Sequence, residues 1–294
     1  MKILNFGSLN LDLVYQMPHF VRAGETLSST AFSRNVGGKG LNQSVALAKA
    51  GAEVYHAGLV GEDGALLRDF LRENGVDVRF VRTIDQPSGH AVIQVEPAGN
   101  NCIFLYGGAN QCVTEEFIRE ALSPFEAGDF LILQNEINDI GRIIELAAEK
   151  GMQVVLNPSP IADNLKELPL DKVSWFILNE IEGAELTGET EADRILDKLT
   201  ALYPGAQIVL TLGGDGSVYA GNGRRIPQSV FKVQAVDTTA AGDTFTGFFF
   251  AAVADGVSAA DALRRASKAS SISVTRPGAA ASIPTLEEVL KALD

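Results

Sequence analysis

Val236-Asp237-Thr238-Thr239-Ala240-Ala241-Gly242-Asp243-Thr244-Phe245 runs from small and hydroxylated residues into an apolar helical pattern that continues through Phe250 and Val253. A loop of this kind leaves the first backbone N–H groups of its helix unpaired and aimed outward. With the helix dipole behind them, they form an anion site. Asp243 is out of place in such a cradle, because its carboxylate repels the anion beside it. Two readings are open. Asp243 caps the helix, or it is a general base that takes a proton from a hydroxyl as that oxygen attacks phosphorus.

Gly37-Gly38-Lys39-Gly40-Leu41-Asn42 is the second glycine-rich element, and it opens a helix predicted over Gln43–Lys49. It is not a Walker A loop, since the spacing differs and Gly40, not Ser or Thr, follows the lysine. Gly213-Gly214-Asp215-Gly216 leads into Ser217-Val218-Tyr219, a strand pattern, whereas a dinucleotide fingerprint opens a helix. For 37–42 a plain turn before a helix and a close approach of backbone to ligand both fit, with Asn42 able to bridge two hydroxyls.

Other polar residues follow directly on apolar runs of strand length. Ser8, Asn10 and Asp12 follow Ile3–Phe6, Glu136 follows Phe130–Leu133, and Asn157 follows Val154–Leu156. Asn179 and Glu182 follow Trp175–Leu178, while Thr211 and Gly213 close Ile208–Leu212. These runs, with Val54–Val60, alternate with helical patterns over Gln43–Lys49, Leu66–Glu73, Ile140–Lys150 and Ala192–Leu202. Three more helical segments end the chain, the last opening with the capping-box pattern Thr285-x-x-Glu288. Strands that are continuously apolar predict an α/β fold, a mostly parallel sheet with helices on both faces. The carboxyl ends of such strands line the ligand crevice, where these polar residues fall.

Two stretches break the rhythm. Leu13–Arg34 has no helical period, and Ser88–Tyr106 reads as a hairpin of Ala91–Val95 and Cys102–Tyr106 around Pro97–Asn101. Together they predict a small β insertion over one end of the sheet, and its free strand edges suggest a homodimer. Within it, Phe104 and Tyr106 are either lid core or a stacking surface for a base-bearing substrate. No linker rich in Pro, Gly or Ser divides the chain, so one domain over 1–294 is expected.

Lys and Arg number 24 against 37 Asp and Glu, a net charge of −13, which argues against nucleic-acid binding and against a basic membrane-surface patch. There is no charge-free apolar run of about 18 residues, and a cytoplasmic protein is expected. The two cysteines give no disulfide framework, and the three histidines lack zinc-ligand spacing.

Gly-Gly-Lys-Gly-Leu-Asn at 37–42 and Asp-Thr-Thr-Ala-Ala-Gly-Asp-Thr-Phe at 237–245 resemble the two signature regions of the PfkB carbohydrate kinases. Gly7–Asp12, Asn179–Glu182, Thr211–Gly216 and Val274–Ser282 fall in that family's order. The resemblance implies a three-layer αβα sandwich with a mostly parallel central sheet and a small β lid from about 13–35 and 88–107. It implies transfer of the γ-phosphoryl group of ATP to the hydroxymethyl oxygen of a pentose, D-ribose foremost. Asp243 would be the base, with the N–H groups of Ala240, Ala241, Gly242 and Asp243 cradling the phosphoryl. Asn10, Asp12, Gly38, Lys39, Asn42 and Glu136 would hold the sugar. Asn179 and Glu182 would stand near the triphosphate and its Mg²⁺, with Thr211, Gly213 and Gly216 lining the nucleotide. Asp237, Thr239, Ser273, Arg276, Gly278 and Ser282 match a region that binds K⁺ or another monovalent cation. A nucleoside kinase of the same fold and a noncatalytic sugar-binding protein are the competing readings; retention of Asp243 speaks against the latter.

Overall fold

Apolar runs without in/out alternation become strands covered on both faces. The computed structural model describes residues 1–294, apart from the side chains of residues 163 and 164. The chain begins β1 (Ile3–Phe6), β2 (Asn10–Gln16), β3 (Ala31–Gly37), α1 (Lys39–Lys49), β4 (Val54–Val60), α2 (Ala65–Glu73) and β5 (Asp77–Thr83). It continues with β6 (Gly89–Val95), β7 (Asn101–Tyr106), α3 (Glu115–Leu122), β8 (Phe130–Gln134), α4 (Ile140–Glu149), β9 (Gln153–Asn157) and β10 (Trp175–Asn179). It ends with α5 (Glu180–Thr187), α6 (Ala192–Leu202), β11 (Gln207–Thr211), β12 (Ser217–Gly221), β13 (Arg224–Gln228), α7 (Ala241–Ala254), α8 (Ala259–Ser273) and α9 (Leu286–Leu293).

The large sheet has the order β13-β12-β11-β10-β9-β8-β1-β4-β5. It is parallel from β5 to β11, and only the β11–β12 and β12–β13 pairs are antiparallel. Successive strand residues point to opposite faces. Ile3, Ile132, Val155, Ile177 and Val209 pack on one side with α1, α2, α7, α8 and α9. Leu4, Leu131, Leu156, Leu178 and Leu210 pack on the other with α3, α4 and α6. The result is the three-layer αβα sandwich expected from the sequence. Trp175 sits in the first of these cores, its ring 5.5 Å from Phe250 and 5.9 Å from Phe249 of α7.

The second sheet has four strands in the order β3-β2-β6-β7. Strand β2 pairs antiparallel with β3 and parallel with β6, and β6 and β7 form the hairpin read from the sequence. Phe104 and Tyr106 are 57% and 48% exposed, so neither is lid core, and Tyr106 lies against the His90 ring at 5.1 Å.

Several elements differ from the sequence reading. Helix α1 begins at Lys39 rather than Gln43, because Gly38 at φ 95 is its N-cap and turns the chain directly into the helix. Strand β5, with charged residues spaced along Asp77–Thr83, had no apolar run to mark it. Helix α5 has almost no apolar face, and β13 reads Arg-Arg-Ile-Pro-Gln, with neither an apolar run nor an alternation. Among the described residues no helix is long and apolar enough to cross a membrane.

Candidate active site

Strand β1 is where the order of the large sheet reverses, between β4 and β8, and at such a point the loops diverge and leave a crevice. From β1 the chain passes through Ser8 into β2, so Asn10 and Asp12 lie on the lid sheet itself, not in a loop below it. Asn10 Oδ1 accepts from Asn110 Nδ2 at 2.8 Å, and Asn110 Oδ1 in turn accepts from Leu9 N–H at 3.0 Å. This locks the start of the lid strand to the core. Beyond the end of β8, Glu136 accepts from the Lys39 backbone N–H at 3.0 Å and from the Ser8 hydroxyl. A carboxylate there complements the positive end of α1.

Burial pushes the Asp12 carboxyl up to about 6, and the neighbouring Glu136 adds to the effect. Burial likewise raises Glu136, opposed by its bonds from Ser8 and Lys39. As carboxylates both only accept, which suits the hydroxyl hydrogens of a polyol.

On the other wall, Ala240 is the N-cap of α7 at φ 59, a left-handed conformation that costs a residue with a Cβ of order 1 kcal/mol or more. The Ala241 N–H is taken by the Thr238 carbonyl at 3.2 Å, so it does not serve the cradle. The Gly242 and Asp243 N–H groups have no acceptor among the described residues. Asp243, buried in the first turn, accepts from Asn42 Nδ2 at 3.0 Å on Oδ2 and from Gln43 Nε2 at 2.9 Å on Oδ1. These contacts require α1 and α7 to touch. They do so at Gly247, where a Cβ would stand 2.3 Å from Ala46 Cβ and 2.7 Å from Leu47 N. Helix capping thus fails as an account of Asp243, whose oxygens are bound by α1 side chains rather than by its own helix. Asn42 Oδ1 is buried without a partner, an acceptor in need of a donor hydroxyl.

A cavity of about 270 Å³ joins Lys39, Asp243 and Gly242 to Asn179, Glu182 and Thr211. A second, of about 650 Å³, shares Asn179, Thr211 and Gly242 with it and extends past Gly213 and Gly216 to Phe231, Phe245 and Ser271. The two form one cleft, polar at the Asp243 end and more apolar at the far end. Asn179 and Glu182 are the N-cap and N3 of α5, joined as a reciprocal capping box, with Glu182 Oε1 also accepting from Asn179 Nδ2 at 3.0 Å. The Glu182 carboxylate is therefore held beside the cleft rather than free to swing into it.

Asp237 accepts from the N–H groups of Thr239 and Gly278, both at 2.9 Å, and so ties the loop before α7 to the loop after α8. The Ser273 and Ser282 hydroxyls donate to the carbonyls of Ser270 and Ala279, which leaves their oxygens as acceptors. The Arg276 guanidinium pairs with Glu288 at 2.6 Å, so a cation here would meet the Arg276 carbonyl only. Donors that are all oxygen suit a hard cation.

A profile of the pfkB family carbohydrate kinases matches residues 1–286. The chain belongs to the pfkB family of carbohydrate kinases. Ribokinase of Haemophilus influenzae is 36% identical over 98% of this kinase and 97% of its own length. Ribokinase of Bacillus subtilis is 34% identical over 96% of each chain. The solved structure of Arabidopsis thaliana ribokinase complexed with ribose and ATP superposes with a TM-score of 0.87, at 32% identity, over 99% of this chain and 98% of that one. This kinase is an ATP-dependent carbohydrate kinase with the fold of those enzymes.

Sequence reasoning missed Gln43, Asn110, Gln134 and Phe231. Gln134 carried a signal, as a polar residue closing an otherwise apolar run, whereas Gln43 looks like any polar residue of a helix.

Proposed function

We propose that this kinase phosphorylates D-ribose at its hydroxymethyl oxygen to give D-ribose 5-phosphate, with ATP as the donor. The observation that carries the reading is the Asp243 carboxylate, buried at the start of α7 between the acids of the lid side and the phosphate end of the cleft. Asp243 takes the proton of the hydroxymethyl group. The freed oxygen pair forms the new bond to the γ-phosphorus, and the bond from that phosphorus to its bridging oxygen breaks, so ADP leaves with the electron pair. The Gly242 and Asp243 N–H groups face the charge that develops on the transferring group. Asn10, Asp12, Gly38, Lys39, Asn42 and Glu136 hold the sugar, while Thr211, Gly213 and Gly216 line the nucleotide.

Mg²⁺ would sit beside Asn179 and Glu182 and neutralise phosphate charge. A monovalent cation, K⁺ foremost, would be held by Asp237, the Ser273 and Ser282 oxygens and carbonyls at Thr239, Arg276 and Gly278, and would stiffen the loop that presents the cradle. The lid keeps water, a competing acceptor, from the phosphoryl group. Its exposed Phe32, Phe104 and Tyr106 on one face, and Ile103 and Leu105 on the other, are apolar surface that the lid of a second copy would cover in part, which makes the active form a homodimer. The cytoplasm is the compartment that supplies ATP.

ADP release with Mg·ATP against D-ribose, deoxyribose, arabinose, fructose and adenosine, each with and without K⁺, tests the reading. Ribose should give the highest kcat/KM and K⁺ should raise it. Preference for adenosine would move the assignment to a nucleoside kinase.

A further inference from the structure

Beneath the sugar end of the cleft lies a row of buried polar side chains where apolar residues would be cheaper to bury. Asn5, Gln43, Ser44 and His56 have no exposed surface, and Gln134 is 1% exposed. Gln43 Nε2 donates to Asp243 Oδ1 at 2.9 Å. Gln134 Nε2 donates to Gln43 Oε1 at 2.7 Å and to Asn5 Oδ1 at 2.9 Å. Asn5 Nδ2 donates to the Gly40 carbonyl at 2.7 Å and to Ser44 Oγ at 2.8 Å, and Ser44 Oγ lies 2.8 Å from His56 Nδ1.

Counting donors fixes the orientation of every amide in the row. The Gly40 carbonyl only accepts, so the amide nitrogen of Asn5 faces it and the Asn5 oxygen faces Gln134. Gln134 must then present its nitrogen, whose second hydrogen meets Gln43 Oε1. Gln43 is left with its NH₂ toward Asp243. Ser44 Oγ accepts from Asn5 and meets His56 Nδ1, which closes the row. No amide in the row can flip without setting two acceptors face to face.

Gln43 lines neither part of the cleft, in contrast to its neighbour Lys39. We infer that Gln43 is a positioning residue, oriented by Gln134 through the row from His56, that holds Oδ1 of Asp243 from the protein interior so that Oδ2 is presented to the acceptor hydroxyl. This rests on Asp243 being the base. The other charged groups facing Asp243 are Lys39 of α1, Glu136 after β8 and Glu182 of α5.

The test is kcat at saturating ribose, with melting temperature and KM for ribose, for the wild-type enzyme, Gln43→Met and Gln134→Met. In Gln43→Met kcat at pH 7 should fall about tenfold, with KM for ribose changed less than about threefold. Gln134→Met, which contacts neither Asp243 nor the cleft, should lower kcat in the same direction by less, again with KM nearly unchanged. Lower melting temperatures with kcat unmoved, or with KM raised as much as kcat falls, would overturn the inference. Either variant decides the matter should the other not fold. Failure of the function proposal looks different: the wild-type enzyme would release no ribose-dependent ADP, or Asp243→Asn would keep turning over.

Discussion

The two sheets answer different demands. In the large sheet the central strands are buried on both faces, and the residues at their carboxyl ends are held by bonds from two or three elements at once. Glu136, tied to Ser8 and to α1, is one example, and Asp243 at the start of α7 is held likewise, by two side chains of α1. In the lid sheet β3 is exposed over most of its length, and β7 is exposed along all of it. Its outer side chains are apolar all the same. A sheet buried on both faces fixes atoms to a fraction of an ångström, while a sheet fastened at one end can move as a unit. On the proposed reading the base stands against the first, and Asn10 and Asp12 put part of the recognition of the sugar on the second, at the point where Asn10 and Asn110 fasten them together.

The sharpest break of this division is on the core side. Asp243→Asn keeps shape and removes the base, so kcat should fall by about 10² to 10⁴ with ribose binding retained, measured by turnover and calorimetry. On the lid side, Asp12→Asn should raise KM for ribose by about 10- to 100-fold, the worth of a hydrogen bond to a charged group, with kcat changed much less. The same variant should gain stability. With a folded pKa of about 6 against an ordinary 3.8, Asp12 contributes fully to stability below pH 3.8 and loses that contribution as pH rises through 6. Asp12→Asn should therefore melt a few degrees above the wild-type protein at pH 8 and alongside it near pH 4.

Leu105→Lys on β7 should leave the core melting temperature within a degree or two, shift the protein to monomer in sedimentation and raise KM several-fold. The smallest effect concerns the core alone. Burial lowers His56 to about 3, so it stays neutral when folded and is protonated below pH 6.5 when unfolded. Stability that depends on neutral His56 is present above pH 6.5 and is lost as pH falls toward 3. His56→Gln should flatten the denaturation midpoint against pH across that window.

The strands, the hairpin over Ser88–Tyr106 and the Thr285–Glu288 capping box were legible because each is written in neighbouring residues. Asp243 was legible as a contradiction, an acid inside an anion cradle. Asn179 and Glu182 were found by their position after β10, but their mutual capping box was not, since polar residues after a strand carry no mark of what they bond. The row from His56 to Gln43 stayed hidden for another reason. Its members sit in strands and a helix far apart in sequence, and only packing reveals that their polar atoms meet. Helix α5 and strands β5 and β13 escaped because their apolar residues are few or interrupted by charge.

Trp175 is the sole tryptophan of the chain, and it is wedged against Phe249 and Phe250 on the helix that carries Asp243. The protein therefore has a native optical probe in one place. Its emission should be blue-shifted and insensitive to lid movement, and it should redden only when α7 leaves the sheet. Fluorescence unmixed by any second indole thus times the loss of the helix that bears the base, while sugar binding at the lid passes unseen.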